Sequence, residues 1–104
     1  MPTAVPQVEV ESTTAIAPRW HVVLLNDDDH TYEYVIAMLV ALFAKTPERA
    51  FQHACEVHAS GRTILDTTSR ERAELKVEQI HAYGPDPRIP RCKGSMSAEM
   101  EPAF

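Results

Sequence analysis

The stretch Val22-Val23-Leu24-Leu25-Asn26-Asp27-Asp28-Asp29-His30-Thr31-Tyr32-Glu33-Tyr34-Val35 constrains this chain more than any other. It begins apolar and β-branched, crosses a polar interval and becomes apolar again at helical spacing. A strand must therefore hand over to a helix there. The interval holds neither Gly nor Pro, the residues that mark a plain connector. Instead, Asn26 and three consecutive aspartates gather hydrogen-bond acceptors at a strand end, a placement that suits something cationic.

A chain of 104 residues with 44% hydrophobic content is expected to fold as one domain around a modest core. Its net charge is −5. Phosphate contacts need clustered Lys and Arg, so no nucleic acid partner is expected. The longest apolar run, Val35 to Ala44, falls far short of the roughly 20 residues of a membrane span, so no membrane partner is expected either. The N-terminus has no basic region followed by an apolar core, and no secretory signal is read. Cys55 and Cys92 lie far apart and in no C-x-x-C arrangement. The simplest reading is a reduced, cytoplasmic protein with both thiols free, a single disulfide being the alternative.

Met1 to Arg19 carries Pro2, Pro6 and Pro18 among small residues and reads as a disordered N-terminal extension. Trp20 to Leu25 reads as a mostly buried strand. A first helix is expected from Thr31 or Tyr32 to about Ala44, capped by an Asp or Thr of the interval; its broad apolar surface makes it the central one. Thr46 is a fit N-cap for a second helix, with Pro47 at its first position and Glu48 at the positive end of its dipole. Phe51, Ala54, Cys55 and His58 share one face of that helix, bordered by Val57. Gly61 is expected as its left-handed C-cap. So short a link between two helices makes them a hairpin.

Arg62 to Asp66 reads as a short strand. Thr68-x-x-Glu71 matches a capping box, with Ser69 as the alternative cap, for a third helix reaching about Tyr83. Ala73, Val77, Ile80 and His81 should face inward and Arg70, Arg72, Glu74 and Glu78 outward, before Gly84-Pro85 stops the helix. Arg88 to Lys93 is expected as a last short edge strand, although Pro90 cannot donate to a ladder. The order β-α-α-β-α-β implies an α+β fold, with three helices packed on a short, mainly antiparallel three-stranded sheet. The core domain should span 20–93, between a disordered 1–19 and a flexible tail over 94–104.

Three chemistries compete for the acidic interval. It can be a solvated loop that caps a helix. It can hold a metal, but a calcium loop wants acidic residues at alternate positions, a Gly and a distal Glu, whereas Asp27, Asp28 and Asp29 are consecutive. It can recognise a cation, because a carboxylate beside an amide oxygen holds an ammonium by charge-assisted hydrogen bonds. His53 and His58 are five apart, about 140° around a helix, and so form no ligand pair. His53 reads as a packed core residue; His58, at the helix C-terminal end, can reach a neighbouring pocket. There is no nucleophile elbow and no phosphate-cradling Gly loop. A small metal-dependent hydrolase built on the Asp27-Asp28-Asp29 cluster is the enzymatic alternative.

Several motifs then occur in one order. Leu25-Asn26-Asp27-Asp28 precedes Glu33-Tyr34-Val35-Ile36 on a helix, followed by Glu48-Arg49-Ala50, by Glu56-Val57-His58-x-x-Gly61-Arg62, and by Glu71-x-Ala73-Glu74-x-Lys76-Val77. Together they resemble the ClpS family, the adaptors of the bacterial Clp protease that recognise N-degrons, over about Trp20 to Tyr83. The resemblance implies a non-enzymatic adaptor without cofactor or metal. It would bind substrates that begin with a bulky hydrophobic or aromatic residue and deliver them to a Clp AAA+ unfoldase of the ClpA or ClpC type. By similarity, Asn26, Asp27 and His58 would hold the free α-amine. Asp28, His30, Tyr32, Val35, Ala54 and Val57 would line the side-chain pocket. Glu71 and Lys76 would meet the unfoldase N-terminal domain, the N-terminal extension would act as a delivery arm, and the protein would be a monomer. The fold is similar to the C-terminal domain of the ribosomal stalk protein, which leaves a protein-interaction module without an N-degron pocket as a further alternative.

The chain also departs from the pattern. His30-Thr31-Tyr32 stands where the family has Thr-Pro-Met, and Ala54 replaces a Met that guards the pocket against β-branched side chains. Its loss should widen the pocket, with Tyr32 refilling part of it. The segment after Gly84 matches poorly and leaves the last pocket wall unassigned.

Overall fold

The computed structural model describes residues 18–27, 29–90 and 94–103. The expected N-terminal extension lies outside the described residues up to position 17, and so does Cys92. In chain order the elements are β1 (Arg19–Leu25), α1 (Tyr32–Phe43), α2 (Pro47–Ser60), β2 (Arg62–Thr68), α3 (Arg70–His81) and β3 (Ala98–Ala103). Strand order is β2-β1-β3, with β1 antiparallel to both neighbours. The central place of β1 explains its apolar run: Val22, Val23 and Leu24 are all fully buried. A bulge between Val22 and Val23 sets Val22 opposite Asp66 and Val23 opposite Ile64, so Leu65 is the extra residue of β2. Leu65 turns into the core while Ile64 stays exposed. Among the described residues, no helix is long and apolar enough to cross a membrane.

The helix ends follow from their cap residues. Thr31 is the N-cap of α1 and accepts from Tyr34 N at 3.1 Å. Thr46 caps α2 in the same way through Arg49 N, with Pro47 next, and Gly61 closes it with φ 86°. For α3 the cap is Ser69, the alternative, and not Thr68. Thr68 is still part of β2, paired with Trp20, so its position belongs to the ladder rather than to the helix. The helix ends at His81, two residues before the expected Tyr83.

The core joins Val22 and Leu24 of β1 to Met38 and Leu39 of α1, Leu65 of β2, Ile80 of α3 and Met96. The inner stripe of α2 differs from expectation. Ala50, His53, Ala54 and Val57 are buried, whereas Phe51 is 49% exposed and His58 lies at the surface. The helix is turned by about one residue from the orientation its largest apolar side chain suggests. The small Ala50 and Ala54 let it approach its neighbours closely, and Phe51 is left on the rim. In α3, Ala73 and Ile80 face inward as expected and Val77 is half-buried against the core. His81 is exposed, yet its Nε2 accepts the Ala98 amide of β3 at 3.1 Å.

The third strand is not over Arg88 to Lys93, where it was expected. Pro87 to Pro90 form turns and a bend, and 91–93 lie outside the described residues. Pro87 and Pro90 remove two amide donors from that stretch, which disfavours a ladder there. The sheet is completed instead by Ala98–Ala103, within the segment expected to be a flexible tail. The domain therefore extends past position 93. The signal was present as alternation: Met96, Ala98 and Met100 lie on the core side, with polar residues between them. Pro102 is tolerated because β3 is an edge strand with one ladder to serve. Met96→Ala should lower stability by about 2–5 kcal/mol, as for other large side chains in packed cores. Urea denaturation measures it, and an unchanged midpoint would mean that the segment is not part of the core.

Candidate functional site

Both ends of the polar interval reach the C-terminal end of α2. Asn26 N–H donates to Gly61 O at 3.0 Å, extending the β1–β2 ladder by one step. At the far end, the Tyr32 ring lies edge-on to His58, with centroids 5.6 Å apart, and edge-on to Phe51 at 6.1 Å. The Asn26 backbone and the Tyr32 ring thus both meet the helix end that carries His58, although they come from a distant stretch of sequence. Asp28 lies outside the described residues.

Asp27 is held from one side. Its Oδ1 accepts from Asp29 N at 2.9 Å, a turn that a short carboxylate makes with its own backbone. The same oxygen is 2.6 Å from His30 Nδ1. The other oxygen, Oδ2, makes no hydrogen bond among the described residues, and the Asp27 side chain is 35% exposed. The geometry leaves one carboxylate oxygen for an incoming donor, next in sequence to the exposed Asn26.

Beneath this rim, Val35, Ala54 and Val57 are buried in the core cluster, with Tyr32 packed against it half-buried. His30 is equally buried, its side chain 3% exposed, and it also has polar partners, with its Nε2 2.8 Å from Gly94 O. The two residues expected at a partner surface part company. Glu71 is exposed in the first turn of α3, lining a cleft of about 320 Å³ with Pro18, Trp20, Ser69 and Arg70. Lys76 is only 9% exposed. Its Nζ donates to Leu42 O at the end of α1 and sits 5.1 Å above the Phe43 ring. A helix C-terminus carries unpaired carbonyls and a negative dipole end, and an ammonium answers both.

Sequence reasoning missed Asp86, which is 1% exposed. Its Oδ2 accepts both Thr31 N–H (2.7 Å) and the Thr31 hydroxyl (2.8 Å), while Oδ1 accepts from Arg88. Burial acts to raise the carboxyl pKa, but the hydrogen bonds from Thr31 and Arg88 outweigh it and hold the group at about 2. Nothing in Pro85-Asp86-Pro87 signals burial; a turn Asp is ordinarily exposed. A second polar chain runs from α2 to β2. The Thr63 hydroxyl donates to Glu56, and the Thr63 oxygen lies 2.9 Å from His53 Nδ1. His53 is thus the packed residue its position suggests, its pKa lowered first by burial and then by the Lys45 and Arg49 charges. Among the described residues, no three His, Cys, Asp or Glu side chains come together as a metal site.

The family described as "ATP-dependent Clp protease adaptor protein ClpS" matches residues 15–87. A ClpS adapter protein of Desulforapulum autotrophicum is 34% identical over 91 residues, 88% of this chain and 86% of the relative. One from Thermosynechococcus vestitus is 36% identical over 85 residues, 81% and 90% of the two chains. One from Vibrio cholerae is 39% identical over 77 residues, 73% of each. Among solved structures, Agrobacterium tumefaciens ClpS2 bound to L-phenylalaninamide superposes with a TM-score of 0.71 at 24% identity, covering 83% of this chain and 98% of that one. That likeness establishes the fold.

The two perturbed groups predict an acid-sensitive fold. The His53 pKa lies below 6.5 in the folded chain, so stability should begin to fall as pH drops through 6.5, where the unfolded chain takes up the proton first. Asp86 contributes stability above its ordinary 3.8, and that contribution is lost as pH falls towards about 2. In urea titrations, Asp86→Asn should cost about 1–3 kcal/mol at pH 7, as expected for bonds to a charged acceptor. It should also flatten the loss below pH 3.8 relative to the parent.

Proposed function

The chain belongs to the ClpS family of Clp protease adaptors, and from that premise we propose that it selects substrates by their first residue. It captures proteins that begin with a free α-amine and a bulky hydrophobic or aromatic side chain, and it delivers them to a Clp AAA+ unfoldase. The family is one of adaptors, not enzymes. The observation that carries the reading is the Asp27 carboxylate, pinned through Oδ1 and open at Oδ2, in an interval whose two ends meet the helix end that carries His58. The L-phenylalaninamide held by the Agrobacterium tumefaciens neighbour supports it, being a ligand with an amine and an aromatic side chain.

The physical logic is a difference of penalties. A protein N-terminus has a pKa near about 8 and is mostly charged at neutral pH. Removing that charge from water costs on the order of several kcal/mol unless it is paired and hydrogen-bonded. Asp27 supplies the countercharge; Asn26 and His58 supply polar partners. An internal residue or an acetylated end offers an amide in place of an ammonium and leaves Asp27 uncompensated, so chain ends are favoured. The first side chain then enters between Tyr32 and the apolar Val35, Ala54 and Val57. Met96 is our assignment for the last wall. Leu25 N–H donates to Ser97 O and His30 meets Gly94 O, and these contacts bracket Met96 beside the interval. Asp28 is assigned to the side-chain pocket by similarity to the family alone. Glu71 is the residue we assign to unfoldase contact; Lys76 acts there through the end of α1 it caps. Residues 1–19 take part in delivery, and the protein works as a cytoplasmic monomer.

Fluorescence anisotropy with labelled peptides tests this. A peptide beginning with Phe or Leu should bind and its N-acetylated form should not. Asp27→Ala should cost about 2–5 kcal/mol of affinity, as when one partner of a buried charged pair is removed. A loss under about 0.5 kcal/mol would exclude Asp27 as the ammonium partner, since a charged contact is worth more. With Ala54 at the pocket, peptides beginning with Ile or Val should bind within about tenfold of Leu. A deficit of about a hundredfold, at the upper end of what one misplaced methyl costs, would show that the pocket still excludes branched side chains.

A further inference from the structure

Resting on that reading, we infer that His30 is a positioning residue for the amine site, which fixes Asp27 and links it to the segment after α3. Its ring is buried between two oxygens, Asp27 Oδ1 at 2.6 Å and Gly94 O at 2.8 Å. Both are acceptors, so the ring nitrogen that carries the hydrogen donates to the oxygen facing it. The ring is further held against Tyr34, with centroids 4.6 Å apart. The Tyr34 hydroxyl donates to Gly84 O, and Gly84 N–H donates to the Ser95 hydroxyl at 2.6 Å. One residue further along the interval, Thr31 is fixed by Asp86. His30 therefore sits where the interval meets Gly94, close to the contacts made by Gly84, Asp86 and Ser95.

The consequence concerns Asp27. A carboxylate on a loop can rotate about χ2 and offer either oxygen. With Oδ1 engaged by Asp29 N–H and by His30, the carboxylate plane is set and Oδ2 is left for the ammonium. Pre-setting an acceptor lowers the ordering cost of binding. This assigns to His30 a role in amine recognition, exerted through Asp27, in place of a role in side-chain selection.

The test compares His30→Leu, His30→Gln and the parent by anisotropy with peptides that begin with Phe, Leu or Ala. Leu keeps an apolar wall and removes both donors; Gln keeps a donor. His30→Leu should weaken all free-amine peptides by about tenfold, the order of one hydrogen bond to a charged group. It should leave the Phe-to-Ala preference unchanged, and His30→Gln should recover most of the loss. On an Asp27→Ala background, His30→Leu should have no further effect. In the folded parent protein, the His30 ring nitrogen resonances should shift on adding L-phenylalaninamide and stay put with its N-acetyl form. A changed first-residue preference, a loss that adds to that of Asp27→Ala, or resonances equally indifferent to both ligands would each overturn the inference. If the parent itself fails to distinguish free from acetylated peptides, the proposed function falls, and the role of His30 falls with it.

Discussion

The start of α1 is anchored by a single buried carboxylate, and much of the site inherits its position from that anchor. Thr31 gives its amide and its hydroxyl hydrogen to Asp86 Oδ2, and its hydroxyl oxygen accepts from Tyr34 N. One side chain is therefore both cap and tether. An uncapped helix start would leave donors unpaired, and a buried Asp without donors would be driven to its neutral form. Each answers the other's deficiency. Once Thr31 is fixed, His30 and Tyr32 on either side of it have little freedom: one turns towards Asp27 and the other towards His58.

What the chain discloses before folding depends on how local the cause is. The caps Thr46 and Gly61, the buried strand at Val22 to Leu24 and the hairpin of α1 and α2 rest on contacts within a few residues, and these could be read directly. The proposed amine site of Asn26, Asp27 and His58 rests on family resemblance, and the meeting of the strand end with Gly61 is compatible with it. The features that escaped are long-range. Asp86 is buried because Thr31, 55 positions earlier, needs an acceptor. Lys76 turns inward because α1 ends beneath it, 34 positions away in sequence. The strand over Ala98–Ala103 was hidden because short alternation beside Gly94 and Pro102 resembles a tail until β1 offers it a ladder.

The turn between α1 and α2 shows the same dependence on distant help. A left-handed helix cap is usually Gly, but α1 is capped by Ala44 with φ 54°, a position that costs a side chain about 1–2 kcal/mol. The cost is offset locally, since both Ala44 N–H and Lys45 N–H bond to Leu39 O. It is offset again from α3, whose Lys76 ammonium takes up Leu42 O and lies over Phe43. A tight connection results, which brings α2 close enough for its small residues Ala50 and Ala54 to pack without a gap. The face that would carry a first side chain is thus built by the end of α1 as much as by its start.

Helix polarity gives the proposed amine site its sign. The positive end of α1 is already served by Thr31 and Asp86, so little of its field is left to repel a cation at Asp27. The negative end of α2 lies beside Asn26, where Gly61 O joins the ladder and His58 occupies the last turn. A group placed there meets a full charge on Asp27 and a partial one from the helix end. Asn26 and His58 offer an amide and an imidazole, neither of which carries a formal negative charge. That balance matches one positive charge with several hydrogens, as in an ammonium.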